Sequence, residues 1–449
     1  MTTPLMISVA GVRGIVGDSL TPPVVTRFAA AFACSLGPGP VVVGRDARPS
    51  GPVVYHAVAA GLRSAGREVV DLGLATTPTT EIAVEHLQAA GGVIITASHN
   101  PAPWNALKFL SARGEFLGPS EGAAVRAAFE ADADLWVDAG AVGGERAEPA
   151  ALEWHLERVL GLEVLDLAVI RARVLRVAVD GCSSVGGIAV PPLLRALGVG
   201  VTELDCVADG DFRRELEPLP EHLGGLSRAV VESGADFGVA LDPDGDRAAF
   251  VDADGVPLGE EFTLALGLQV VLARQRGPAV TNLSTSRIVD SVCTRAGVPL
   301  HRTPVGEAHV VAGMRACGAV AGGEGNGGMI LPAAHYGRDG LVAVALVAQA
   351  VAAAGVSLRA LADALPTLHM VKRKFPLVGG GWEGPSGRLR RRFAGHAVDE
   401  MDGLRFDRGE EWVHVRPSGT EPVVRIIAEA PAQARTLELI EQAREALQG

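Results

Sequence analysis

Residues 94–101 read IITASHNP, an apolar run that ends in a serine, a histidine and a turn-forming Asn-Pro. A hydroxyl pinned at the end of a buried strand can carry a covalent group once a base or a metal activates it. His99 and Lys108 lie close to Ser98 in sequence and are candidates for handling its proton. A phosphorylated serine carries about −1.5 to −2 charges and needs a cation beside it. DPDGDR (242–247) could hold one. In extended backbone alternate side chains share a face, so Asp242, Asp244 and Asp246 can converge on one ion. Their hard oxygens suit Mg²⁺. An EF-hand is excluded, because its sixth and twelfth positions want Gly and Glu where this chain has Arg247 and Ala253.

Two further loops suit a small polar anion. GEGNGG (323–328) sets Glu324 and Asn326 among glycines, Gly323 included, and glycine lets backbone close on a ligand. A carboxylate and an amide are ordinary partners for sugar hydroxyls. RPSGTEP (416–422) combines Arg416, Ser418, Gly419 and Thr420, a mix that suits phosphate, and Arg425 adds a second guanidinium. Each motif also has a plainer reading: a strand-ending turn, an Asp/Gly hairpin, a flexible glycine loop, a surface turn. Against the hairpin stands the mutual repulsion of three aspartates at the end of an apolar strand, which a cation would relieve. Arg13 sits between glycines in GVRG (11–14), a weak signal by itself. Arg45, Asp46 and Arg48 end a strand and read as a simple surface ion pair. His309, on a helix at 306–316, is a satisfied polar side chain or a further substrate contact. Only Lys108, Lys372 and Lys374 among 40 Lys and Arg are lysine, so lysine chemistry has few carriers.

The elements that must hold these loops follow from periodicity. In the first third, strands at 40–46, 67–74 and 91–98 alternate with helices at 52–65 and 78–90, the pattern of a mostly parallel sheet covered on both faces. A Gly- and Ala-rich stretch at 139–149 reads as a linker. A long amphipathic helix at 150–170 opens a second round, with strands at 174–181, 201–206 and 237–242 and helices at 187–197 and 224–234. A third round has helices at 261–274, 285–296, 306–316 and 339–355 and strands at 278–284, 299–305 and 319–328. The last eighty residues differ: HMVKRKFPL, then strands at 410–418 and 422–430 with helices at 385–396 and 431–447, suggest a small α+β domain. The expected fold is therefore three related α/β domains and a smaller C-terminal α+β domain around a central cleft, at 1–148, 149–250, 251–367 and 368–449. A chain of 449 residues is long enough for about three or four domains.

Hydrophobic residues make up 48% of the chain and mean hydropathy is +0.26, enough to bury several cores. The Ala/Val-rich tract near 341–355 is too short to cross a membrane and reads as a buried helix. The first residues show no basic-then-apolar leader, so no secretory signal is expected. Five scattered cysteines without a Cys-x-x-Cys pair suit a reduced, cytoplasmic protein. A net charge of −12 argues against a nucleic-acid or anionic-membrane surface, so an anionic substrate needs a locally basic cleft.

Taken in order, the four motifs resemble those of the α-D-phosphohexomutases: phosphoglucomutase, phosphomannomutase, phosphoglucosamine mutase and their relatives. The resemblance covers essentially the whole length. It implies that Ser98 is the phosphate carrier and that Asp242, Asp244 and Asp246, with the serine oxygen, hold Mg²⁺. It places Arg247 toward substrate, GEGNGG on the sugar hydroxyls and RPSGTEP on phosphate. Arg13 in GVRG matches the family's arginine beside the active site. Lys108 in WNALKF (104–109) matches its general acid/base lysine, with His99 assisting. Two stretches depart from the common pattern: Trp104-Asn105-Ala106 stands where Tyr-Asn-Gly is frequent, and Gly325 stands where many relatives have a second acidic residue.

The implied activity moves a phosphoryl group between C1 and C6 of a hexose phosphate through a 1,6-bisphosphate, which also serves as activator. Glucosamine phosphate is the leading substrate, and a dual phosphomannomutase/phosphoglucomutase is the alternative. A phosphatase and a silent sugar-phosphate binding protein are the competing classes. The expected partner is a small sugar phosphate, with no nucleic acid or membrane, on a monomer or homodimer.

Overall fold

Short runs of valine, isoleucine and leucine, broken by glycine, form strands that helices cover on both faces. The computed structural model describes residues 5–131, 135–376, 381–418 and 423–448. Its first sheet has seven strands, and four of them lie in the order Trp104–Leu110, Gly91–Ile95, Val41–Arg45, Val69–Leu74. The second sheet runs Ala248–Asp252, Phe237–Leu241, Arg176–Asp180, Gly200–Leu204. The third runs Gly328–Ile330, Ala321–Glu324, Ala279–Asn282, Leu300–Thr303. Counted in chain order within each set of four, all three read fourth, third, first, second. The third and fourth strands pair antiparallel and the other neighbours are parallel. One connection, from third strand to fourth, therefore recurs at the carboxyl end of the third strand, the side on which open α/β sheets take ligands. Ser98, the three aspartates and the glycine loop each occupy that connection in their own domain.

Several elements differ from the periodicity. The stretch at 139–149 is no linker: Glu145–Ala147 is an edge strand pairing parallel with Val69–Leu74, because Val69 N–H bonds the Gly144 carbonyl and fixes the register. The segment at 150–170 is two helices, Ala151–Leu160 and Leu167–Arg173. Gly161 ends the first, and the Asp166 side chain caps the second by accepting from Val169 N–H. The strand expected over 319–328 is a hairpin, Ala321–Glu324 and Gly328–Ile330, turning through Gly327 at φ +88. Strands Met6–Ser8, Gly11–Ile15 and Trp104–Leu110 and helix Pro22–Ser35 add to the first domain.

Helix Gly340–Ala354 is buried through Ala352, and one apolar cluster joins the second and third domains around it. No helix among the described residues is long and apolar enough to cross a membrane. All five cysteines are free. The last domain is an antiparallel sheet, His369–Pro376, Val423–Ala430, Glu411–Pro417, Leu404–Arg408, Ala397–Asp399. Strand alternation turns Val424, Ile426, Val413 and Val415 onto helices Glu383–Arg392 and Gln433–Gln448. The opposite face, with Lys372, Lys374, Arg425 and Arg416, looks into the cleft.

Candidate active site

Strand Gly91–Ile95 stops three residues before Ser98, which sits in the left-handed region at φ +48. A non-glycine residue there costs about 1 kcal/mol or more and needs a surrounding structure that enforces it. Arg48 provides much of that structure. Its fully buried guanidinium donates to the carbonyls of Ser98 at 2.5 Å, Asn100 at 2.6 Å, and Pro101 and Trp104 at 3.0 Å each. Asp46 holds Arg48 at 3.1 Å, and the Thr96 hydroxyl bridges Asp46 to the Ser98 N–H. The pair expected at the surface is thus interior, because it satisfies carbonyls of the serine turn. Ser98 Oγ donates to Asp242 Oδ2 at 2.8 Å and lies 3.5 Å from His99 Nδ1.

The three aspartates are fully buried, and one oxygen of each lies within 4.8 Å of the others. Lys108 Nζ meets Asp244 at 2.7 Å, and Thr77 Oγ1 donates to the same oxygen at 2.8 Å. Arg338 Nη2 meets Asp246 at 2.5 Å. Burial, then repulsion by Asp246 and Asp244, pushes the Asp242 carboxyl well up. Burial also works against Asp244, but the Lys108 charge and the bonds from Asp242, Lys108 and Thr77 hold it well below the usual range. Burial would strip Lys108 of its proton; Asp244 and Asp246 outweigh that and keep it charged. His99 is pushed down to about 2 by burial and by the Arg247 and Arg13 charges, so it stays neutral. Asp244 Oδ1 and Asp246 Oδ1 are buried and accept no hydrogen bond among the described residues. Two unsatisfied carboxylate oxygens beside a third carboxylate fit a hard divalent cation.

Glu324 ends its strand buried, its Oε1 accepting from Asn282 Nδ2 at 2.8 Å and Gly306 N–H at 3.0 Å. Arg338 Nη1 takes its Oε2 at 2.9 Å, so one guanidinium ties the aspartate loop to the glycine loop. A Cβ at Gly325 would stand 1.9 Å from Glu261 Oε2, so a side chain there requires the Glu261 carboxylate to move. Lys372 clamps that corner from the last domain, reaching Glu260 and Glu261 at 2.9 Å each and the Gly325 carbonyl at 3.1 Å. Two cavities, of about 320 and 420 Å³, adjoin through Arg13, His99, Arg247 and Val305, which line both. Together they form one cleft walled by all four domains.

Residues 6–135, 155–255 and 260–369 match phosphoglucomutase/phosphomannomutase alpha/beta/alpha domains I, II and III, and 385–446 match the C-terminal domain of that family. A phosphoglucomutase/phosphomannomutase of Thermococcus kodakarensis is 35% identical over 447 residues, 96% of each chain. The chain belongs to the phosphoglucomutase/phosphomannomutase family. It is an enzyme of the phosphohexomutase class. A probable phosphoglucosamine mutase of Methanopyrus kandleri is 36% identical over 446 residues, 96% of this chain and 95% of that one. A solved phosphoglucomutase/phosphomannomutase family protein of Burkholderia thailandensis superposes with TM-score 0.85 at 28% identity, covering 98% of both chains.

In this phosphohexomutase the expected residues gather unevenly. Ser98, His99, Lys108, Arg13, Arg247 and His309 line the larger cavity, and Glu324, Asn326, Arg416 and Arg425 line the smaller. Asp242, Asp244 and Asp246 lie behind Ser98 and Lys108. Gly323 and Ser418 line neither cavity: Gly323 is buried in its strand, its carbonyl taken by Thr281 Oγ1, and Ser418 N–H bonds the Val423 carbonyl. Gly419 and Thr420 lie outside the described residues. Sequence reasoning missed Arg338 and the role of Arg48. A signal for Arg338 did exist, because it precedes Asp339, the side-chain cap of an apolar helix, and so had to sit at that helix's buried entrance.

Proposed function

We propose that this enzyme is a Mg²⁺-dependent phosphohexomutase that carries its phosphoryl group on Ser98 and acts on glucosamine phosphate. The contact that carries the reading is Ser98 Oγ on Asp242 at 2.8 Å, beside two carboxylates with unsatisfied buried oxygens. Asp242, Asp244, Asp246 and the serine oxygen would hold the metal. Mg²⁺ bound there supplies positive charge against the oxygens of the transferring group. Phosphorylated Ser98 gives its phosphoryl group to a free hydroxyl of a hexose monophosphate. The bond to Oγ breaks, a bond to the sugar oxygen forms, and the hydroxyl proton passes to a nearby base. The bisphosphate turns in the cleft and its other phosphate returns to Ser98. Lys108, held charged on Asp244, is suited to holding or returning a proton at the serine oxygen. Arg247 and Arg13 face the same space and suit phosphoryl oxygens.

Asn326 supports a sugar in the smaller cavity: its Oδ1 is buried, accepts no hydrogen bond among the described residues, and suits a hydroxyl or an ammonium. The relative from Thermococcus kodakarensis, named for glucose and mannose phosphates, favours a dual phosphomannomutase/phosphoglucomutase as the second reading. A coupled assay with Mg²⁺ and a trace of hexose 1,6-bisphosphate separates the two by comparing glucosamine, mannose and glucose phosphates. Preference for the amino sugar supports the first reading, and comparable rates on the other two support the second. Ser98→Ala should abolish isomerisation and leave the fold intact; substantial turnover in that variant sinks the carrier assignment.

A further inference from the structure

The chain has three lysines among 40 Lys and Arg, and all three reach one cleft. Lys108 lines the cavity at Ser98, and Lys372 and Lys374 line the adjoining one. Two of them are committed to protein partners. Lys108 is bonded to Asp244, and the Lys372 ammonium spends its three donors on Glu260, Glu261 and the Gly325 carbonyl. Lys374 is exposed and has no hydrogen-bond or ion-pair partner among the described residues.

Strand register decides what stands beside it. Lys374 is directly opposite Arg425, and Arg425 is directly opposite Arg416. Opposed residues of antiparallel strands share a face, with Cβ atoms about 4.5–5.5 Å apart. Three cations therefore form a row across three strands, and all three line the cavity of about 320 Å³. Like charges directly opposite one another destabilise a strand pair. Asp402 relieves Arg416 at 2.7 Å, but among the described residues no carboxylate pairs with Lys374. An anion in the cavity would relieve the row.

We propose that Lys374 binds substrate phosphate: on the sheet face it extends the anion site of Arg416 and Arg425 by a third cation. The identity of that anion as the non-reacting phosphate of a hexose phosphate rests on the proposed function; the anion site does not. Lysine suits the task. Its compact charge on a flexible stem can follow a phosphate whose position shifts as the bisphosphate turns, where an arginine fork would favour one geometry.

The test is isothermal titration with inorganic phosphate, without Mg²⁺ and at fixed ionic strength, on wild type, Lys374→Ala, Lys374→Arg and Arg373→Ala. Arg373 lies on the same strand with the opposite facing, so it controls for loss of one charge. Lys374→Ala should weaken phosphate binding about tenfold, the worth of one charge-assisted hydrogen bond. It should raise KM for the hexose phosphate by a similar factor while kcat changes less. Lys374→Arg should recover most of the loss, and Arg373→Ala should stay within about twofold of wild type. Phosphate affinity in Lys374→Ala equal to that in Arg373→Ala overturns the assignment. A wild type that isomerises no hexose phosphate, yet loses phosphate affinity with Lys374→Ala, would sink the proposed function and leave the anion site standing. Normal isomerisation with an unchanged Lys374→Ala would do the reverse.

Discussion

Arg338→Met is the sharpest single perturbation of the cleft. The guanidinium meets Asp246 at 2.5 Å, Glu324 at 2.9 Å and Glu307 at 3.0 Å, and it is nearly buried. Removing one partner of a buried pair typically costs about 3–5 kcal/mol, because the other charge is left without compensation. Here three carboxylates lose a shared cation at once. Two features hold the cost near the lower end. Arg338 lines the cavity of about 420 Å³, through which water can reach the exposed carboxylates. Glu307 can also take up a proton, since burial already pushes its carboxyl up. A loss of about 3 kcal/mol should lower Tm by roughly 6–12 °C, at roughly 2–4 °C per kcal/mol for a unit of this size. Calorimetry should show the drop in the transition of the second and third domains, which share one core. Arg338→Lys should recover less than half, because an ammonium cannot reproduce the planar fork that joins the two loops. kcat/KM should fall about 100-fold as Asp246 and Glu324 lose their common anchor. A Tm within about 2 °C of wild type would mean that the loops are positioned by other contacts.

Three further outcomes follow from the same geometry. Arg416→Ala should raise KM about tenfold while leaving Mg²⁺ affinity unchanged, since Arg416 bonds Asp402 in the last domain and none of the three aspartates; an unchanged KM removes it from the phosphate site. Mg²⁺ should raise Tm, by the equivalent of about 2.7 kcal/mol at 100 times its Kd, and Asp244→Asn should abolish that response; an equal shift in the variant would place the ion elsewhere. His335 sits between Glu81 at 3.2 Å and Asp339 at 3.1 Å. Burial opposes its charge, but those two carboxylates raise it to about 10, above its ordinary 6.5. Its contribution is then whole below about pH 6.5 and lost as pH rises toward 10, so His335→Gln should flatten Tm across that window; a slope equal to wild type refutes the linkage.

The sequence makes legible those residues whose type and spacing the chemistry demands. Ser98 after an apolar strand, aspartates at every second position and Glu324 among glycines are local patterns, and each lies on one recurring connection. The cluster of the three aspartates is what their spacing predicts. The partners of Arg48 and Arg338 were not legible, even where the buried place of Arg338 was, because each acts across distance. Arg48 serves carbonyls about 50 residues away, and Arg338 serves a carboxylate 92 residues away. Nothing near either one marks the partner. The edge strand Glu145–Ala147 was hidden for a different reason: three exposed residues have no apolar alternation to read. The break at 161–166 was hidden because Gly161 and Asp166 interrupt an otherwise helical run, and the cap contact exists only once the fold is formed.

The recurring third-to-fourth connection sets the serine, the aspartates and the glutamate of the first three domains at one end of their sheets, and the fourth domain adds a row of cations. Each of the first three presents the carboxyl end of a strand, where a short turn can hold a serine, a set of aspartates or a glutamate against a neighbour. Those turns bring Asp242, Asp244, Asp246 and Glu324 into one buried region that Lys108, Arg338 and, at 3.6 Å from Asp246, Arg247 offset directly. In a chain of net charge −12, such a region repels a phosphate dianion unless cations stand elsewhere in the same cleft. An antiparallel sheet is suited to supplying them, because its register lines up Lys374, Arg425 and Arg416 on one face while the alternate residues build a core. The sheet is also tied to the glycine loop through Lys372, and to the third domain through Asp402, which accepts from Val305 N–H at 3.0 Å. Phosphate on the row and the sugar at Glu324 and Asn326 would then be held by elements already bonded to each other. A ligand spanning both should tighten those bonds, which predicts slower amide exchange at 323–328 when phosphate alone is bound on the sheet. No change in exchange at the loop under saturating phosphate would mean that the sheet and the glycine loop bind independently.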